Sequence, residues 1–172
     1  MAIVIGLDIG TSKLSALAWD TSAKRVLAAV GAANDADIPG LPAGWFEQNP
    51  DRIVEALLLA MRQLLAHGEV KPEDVAGIGI TGQMHGVMLI DPKSGKPLTN
   101  LIIWRDQRGL EILPGLAQEI SGMATTGCGL HPGYGGLNLA WLAAKGKLPA
   151  SAKALTIADY VVYRLTGVIA TE

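Results

Sequence analysis

An unbroken apolar run, Ala2-Ile3-Val4-Ile5-Gly6-Leu7, opens the chain and stops at a carboxylate, Asp8. Rich in β-branched residues and bounded by a Gly-Thr-Ser turn, it predicts a buried strand over Ile3–Asp8. Two further alternating stretches, Leu14–Asp20 and Arg25–Ala32, follow after links of a few residues, at Gly10–Ser12 and Thr21–Lys24. Links that short force antiparallel neighbours, so the opening predicts a three-stranded meander. The period then changes. Val54, Leu57, Leu58, Met61, Leu64 and Leu65 recur at helical spacing behind Asn49-Pro50, an N-cap followed by a proline suited to the first turn, and Gly68 is the expected stop.

Beyond that helix, Val75–Thr81 predicts a second buried strand, parallel to the first because a helix crosses between them. Gly86–Asp91 and Leu101–Trp104 predict further strands around a Lys93–Lys96 turn. Helices are expected over Gln107–Leu113 and Asn138–Lys145, and from Thr156 to Gly167 with Asp159 completing a capping box. Gly167–Glu172 has the pattern of another strand beginning. The order of elements indicates an α/β fold: a mixed sheet with an antiparallel three-stranded meander and packed helices.

Composition narrows the class. At 172 residues, 49% hydrophobic and 17% charged, the chain suits one domain with a sizeable core. Its 14 basic and 16 acidic residues form no long run of either sign, so neither a nucleic acid nor a membrane surface is the expected partner. One cysteine, Cys128, excludes an internal disulfide framework, and no signal-peptide pattern opens the chain, so a reducing, cytoplasmic setting is expected. The uncharged stretch from Ile120 to Ala144 is interrupted by Gly122, Gly127, Gly129, Pro132 and Gly133, which predicts a loop leading into a short helix.

Three segments carry candidate chemistry. In Asp8-Ile9-Gly10-Thr11-Ser12, a carboxylate at a strand end precedes a glycine and two hydroxyls, which suits phosphate and magnesium. Asp, Gly, Thr and Ser are also ordinary turn residues, and the segment alone serves both readings. Gly82-Gln83-Met84-His85-Gly86 follows the strand ending at Thr81, where ligands of open α/β sheets gather; a plain turn is the alternative. Trp104-Arg105-Asp106-Gln107-Arg108 sets an aromatic face beside a carboxylate, as a polyol site requires. Taken alone, Asp106 suits an N-cap and Arg108 a surface charge. No Walker loop, G-x-G-x-x-G motif or Cys/His metal spacing is present.

Together, in order and rough spacing, these segments resemble the N-terminal domain of the FGGY carbohydrate kinases. Trp45-Phe46-Glu47-Gln48-Asn49-Pro50, Thr126-Gly127 with Pro132-Gly133-Tyr134, and Ala158-Asp159-Tyr160 through Leu165-Thr166-Gly167 extend the resemblance over nearly the whole chain. Gln83-Met84-His85 looks like the xylulokinase and sedoheptulokinase branches, since glycerol kinases carry Arg-Glu in place of Met84-His85. The resemblance implies a ribonuclease-H-like domain of the actin and hexokinase type, and ATP-dependent phosphorylation of a ketose or polyol. It puts Asp8, Gly10, Thr11 and Ser12 at the ATP phosphates, with Asp8 also meeting Mg2+. It puts Gln83, Met84, His85, Trp104 and Asp106 at the sugar, with the Pro132–Tyr134 loop closing over it.

Family members also have a second domain, which completes the adenosine pocket, and a catalytic aspartate further along the chain. Residues 1–172 are therefore expected to be an incomplete N-terminal kinase domain, inactive alone and prone to associate with copies of itself. The rival expectations are a non-catalytic sugar-binding or regulatory half-domain, or another actin-like ATPase.

Overall fold

The computed structural model of the protein describes residues 2–119 and 129–171; Thr126, Gly127 and Cys128 lie outside them. The opening alternation forms β1 (Ile3–Ile9), β2 (Lys13–Asp20) and β3 (Arg25–Ala33), joined as an antiparallel meander. Ile3, Ile5, Leu7 and Ile9 are at most 2% exposed, whereas Val4 and Asp8 face the opposite, open side. A strand has only two faces, and residues i and i+2 share one.

Helix α1 (Pro50–Leu65) covers the buried face with Ile53, Val54, Leu57 and Leu64. The Asn49 side chain accepts from Arg52 N and starts it as expected. The helix ends earlier than expected. It is capped at Ala66 in a right-handed conformation, and a His67–Val70 turn takes over before Gly68 can act. The chain returns as β4 (Glu47–Gln48) before α1 and β5 (Val75–Gly82) after it. β5 lies parallel to β1, giving the order β3-β2-β1-β5. Ala76, Ile78, Gly79 and Thr81 are exposed, so β5 is an edge strand among the described residues and not the buried strand its sequence suggests.

The following strands leave the main sheet. β6 (Met88–Ile90) pairs with β8 (Lys153–Leu155), and β7 (Leu101–Ile102) pairs with β4. These two short ribbons are tied to each other by the Val87–Ile102 bridge and together form a small platform. Leu89, Ile102, Trp141 and Leu142 make its own small core. The expected helix at Gln107–Leu113 is instead a single tight turn over Arg108–Glu111, followed by α2 (Leu113–Glu119). α3 (Gly135–Ala144) starts three residues before the expected Asn138. α4 (Ile157–Thr166) has the Thr156–Asp159 capping box and ends at Gly167, but 168–171 form no strand. Among the described residues no helix is long and apolar enough to cross a membrane.

Candidate functional site

The turn between β1 and β2 is tight because Gly10 N donates to Lys13 O at 2.9 Å. A Cβ on Gly10 would stand 2.8 Å from that carbonyl oxygen, so the turn needs glycine. The Thr11 and Ser12 N–H groups find no acceptor among the described residues. Asp8 lies on the open face opposite Ser15 and Thr81, exposed, and no described group donates to its carboxylate. A free carboxylate beside two free N–H groups and the Ser12 hydroxyl can hold an anion with a hard cation.

The Thr11 hydroxyl is engaged. It accepts from Trp104 Nε1 at 2.9 Å and donates to Gln83 Oε1 at 3.2 Å. Gln83 Nε2 donates to Gln48 Oε1 at 2.8 Å, and Gln48 Nε2 donates back to Thr11 O and to Asp37 Oδ1, each at 2.8 Å. Gln48 is 0% exposed. Asn34 Nδ2 supports the same turn at Gly10 O, 2.9 Å away. Neither Gln48 nor Asn34 is a candidate on sequence alone; the signal for Gln48 is its place in the matching Trp45–Pro50 segment, with no role attached.

Beyond Thr11 the cleft widens. Gln83, Met84, His85 and Trp104 join Asp8 and Thr11 around a space of about 380 Å³. His85 and Trp104 also border a neighbouring cavity of about 550 Å³, lined as well by His131, Pro132 and Tyr134. His85 adopts φ +67°, a left-handed conformation unfavourable for a side chain and commonest where surroundings or function enforce it. Its ring stacks on Tyr134 at 4.1 Å and 17°. Gly133, at φ +87°, sits so close to Trp104 that a Cβ would fall 1.8 Å from the Trp104 carbonyl oxygen. The 131–134 loop is thus seated directly on Trp104. Tyr134 is a wall residue that the Pro132–Tyr134 match flags only as part of a loop.

Asp106 behaves differently. It is 0% exposed, and its oxygens accept four hydrogen bonds: Arg108 N and Nε on Oδ1, Phe46 N and Arg108 Nη2 on Oδ2, all at 2.8–2.9 Å. Arg108 also donates to Glu47 Oε1 at 2.6 Å and lies 3.9 Å over the Trp45 ring, which meets Trp141 edge-on at 5.2 Å. Burial works against the Arg108 cation, but Asp106 and Glu47 outweigh it and hold the guanidinium above its ordinary pKa. Arg108 is therefore no surface charge. Trp104 faces the cavity, while Asp106 and Arg108 form the frame behind it.

Among the described residues no cluster of three His, Cys, Asp or Glu side chains could hold a metal by itself. Magnesium commonly uses one or two carboxylates together with phosphate oxygens and water, and a lone Asp8 fits that arrangement only.

Residues 3–172 match the model of the N-terminal domain of the FGGY family of carbohydrate kinases. A glycerol kinase from Sinorhizobium fredii is 32% identical over 95% of this chain. Among solved structures, a xyloylose kinase from Brucella ovis superposes with a TM-score of 0.84 at 32% identity, covering 96% of this chain and 34% of that one. A ligand-bound xylulose kinase from Lactobacillus acidophilus gives 0.83 at 25% identity, covering 98% and 34%. The chain spans about a third of these relatives, 34% of the glycerol kinase. The expected fold is thereby shown: this is the α/β fold of the sugar kinases, of the actin and hexokinase type. The chain belongs to the FGGY family of carbohydrate kinases, within the N-terminal domain of that family.

Proposed function

We propose that the protein takes part in ATP-dependent phosphorylation of a hydroxyl on a ketose or polyol, with this chain supplying the phosphate turn and one wall of the sugar site. The observation that carries the reading is the adjacency of two cavities that share His85 and Trp104. An unpaired carboxylate and free N–H groups at Asp8–Ser12 stand at the first, and the second is walled by the His85, Trp104 and Tyr134 rings. Asp8, Gly10, Thr11 and Ser12 border the phosphates, Asp8 being the residue that would hold Mg2+. Bound magnesium would neutralise charge on the transferring phosphoryl group.

On the sugar side, the Trp104 and Tyr134 rings cover C–H surface, and His85 and Gln83 face the hydroxyls. Met84, 71% exposed, offers an apolar lip. Asp106 serves the sugar through Trp104, whose loop it holds. Phosphoryl transfer depends mainly on alignment and charge stabilisation, which suits a wall with few reactive groups. The general base and the second half of the nucleotide pocket belong to a second domain in this reading, and residues 1–172 alone transfer nothing. A cytoplasmic location is part of the same proposal. Met84-His85 favours a ketose such as xylulose, and sedoheptulose remains in the set by that pair alone.

Coupled ADP release tests this with the complete gene product against xylulose, sedoheptulose, glycerol and gluconate, with residues 1–172 assayed in parallel. The expected result is sugar-dependent release by the complete product only, fastest with a ketose. Release with none of these acceptors contradicts the kinase reading.

A further inference from the structure

We propose that the Thr11 hydroxyl is a positioning residue that couples sugar binding to nucleotide binding, through a closed hydrogen-bonded circuit joining Trp104, Gln83 and Gln48 to the phosphate turn. The inference rests on the reading of the cleft as a sugar and nucleotide site.

A hydroxyl has one donor and two acceptor positions. Thr11 spends its donor on Gln83 Oε1 and one acceptor position on the Trp104 indole N–H. A phosphate oxygen needs a donor, so the side chain would have to release Gln83 to serve one, whereas the Thr11 and Ser12 N–H groups are free for that task. The side chain's partners point to the sugar wall instead. Trp104 is 49% exposed, and its N–H is the one polar handle the ring has. Anchored to a residue 93 positions away in sequence, the ring is held in place before any sugar arrives. Such immobilisation in advance is worth roughly two- to tenfold in affinity for one side chain.

The circuit also closes on itself. Thr11 donates to Gln83, Gln83 to Gln48, and Gln48 to the Thr11 carbonyl. Gln48 is fully buried, with its second N–H held by Asp37. It therefore has no solvent to fall back on when the turn shifts. Movement of the Thr11 backbone around a phosphate must be transmitted to the Thr11 hydroxyl and so to the Trp104 plane. Coupling between two sites is reciprocal, so sugar at Trp104 must equally tighten the turn on phosphate.

The test is calorimetric titration of the complete gene product with xylulose, without and with saturating MgADP, repeated with glycerol. Thr11→Val removes the hydroxyl, Thr11→Ser restores it, and Trp104→Phe keeps an aromatic wall while deleting the indole N–H. In the unaltered protein MgADP should tighten sugar binding by about fivefold or more, the lower end of ordinary couplings. In Thr11→Val and Trp104→Phe that factor should fall to near one, and in Trp104→Phe the MgADP affinity in the absence of sugar should change by less than about threefold, below the roughly fivefold of an ordinary coupling. Thr11→Ser should keep the factor. If Thr11→Val does not fold, Trp104→Phe decides from the other end of the same bond. Retention of the full factor in either substitution overturns the inference while the kinase reading stands, as does the lack of any factor in the unaltered protein. Loss of MgADP binding in sugar-free Thr11→Val also overturns it, since the hydroxyl would then be a direct phosphate contact. Binding of neither sugar nor MgADP to the unaltered protein overturns the kinase reading and this inference together.

Discussion

Asp8 and Asp106 belong to adjoining cavities that share His85 and Trp104, and they are held in opposite ways. Asp106 is 0% exposed and receives four hydrogen bonds, three of them from Arg108. Asp8 is exposed on an open sheet face, and nothing described donates to it. A buried carboxylate is tolerated only when its lone pairs are filled, so Asp106 has nothing left to offer a ligand. An exposed carboxylate beside free N–H groups retains its full capacity for one. The two residues have the same chemistry in sequence, yet one builds the wall and the other is free to meet what enters.

The comparison is tested hardest at the buried end. Asp106→Ala leaves Arg108 inside with Glu47 alone, and should destabilise the fold by about 3–5 kcal/mol. Chemical denaturation followed by far-UV circular dichroism reads this directly. A loss below about 1 kcal/mol would place Asp106 with the ordinary surface carboxylates and remove the contrast.

His85 sharpens the contrast from the cavity side. Its ring stacks on Tyr134 and its backbone is strained at φ +67°. His85→Ala in the complete gene product should weaken ketose use by about 1–3 kcal/mol in kcat/KM, because sugar hydroxyls lose a partner. Stability should change far less than in Asp106→Ala. Steady-state kinetics with both substrates varied decide it, and an unchanged response to sugar takes His85 out of the site.

Asp51 is the intermediate case, half-buried, accepting from the Tyr160 hydroxyl at 2.7 Å and from Arg164. Burial and the Asp51 charge push the Tyr160 hydroxyl up to about 12 from an ordinary 10.0. The folded state therefore holds this proton more tightly than the unfolded one. Its contribution is complete below pH 10.0 and is lost as pH rises toward about 12. Tyr160→Phe should cost about 1 kcal/mol at neutral pH, the usual worth of one hydrogen bond, and should flatten the alkaline fall. An equal alkaline slope in both proteins would show that Tyr160 does not titrate with folding.

How much of this is legible in sequence depends on range. The meander, α1 with its Asn49-Pro50 start, β5 and the Thr156–Asp159 capping box follow from signals within a few residues of each other. The β4–β7 and β6–β8 ribbons are two or three residues long and pair across the chain, so no local period announces them. Arg108 looks like a surface residue because Glu47, its second carboxylate, stands 61 positions earlier. The Asp8–Ser12 turn and Trp104 are legible as separate pieces. Their junction through Thr11, Gln83 and Gln48 is not, because hydrogen bonds over such separations leave no periodic trace.

The central claim is that the unpaired Asp8 carboxylate serves phosphoryl transfer and not the fold. Turnover and unfolding free energy of Asp8→Asn, measured side by side in the complete gene product, test it most directly. The account predicts that turnover falls by about 100-fold or more, as when a charge meeting the transferring group is removed, while stability stays within about 0.5 kcal/mol. Near-normal turnover, or a stability loss that accounts for the whole effect, would contradict it.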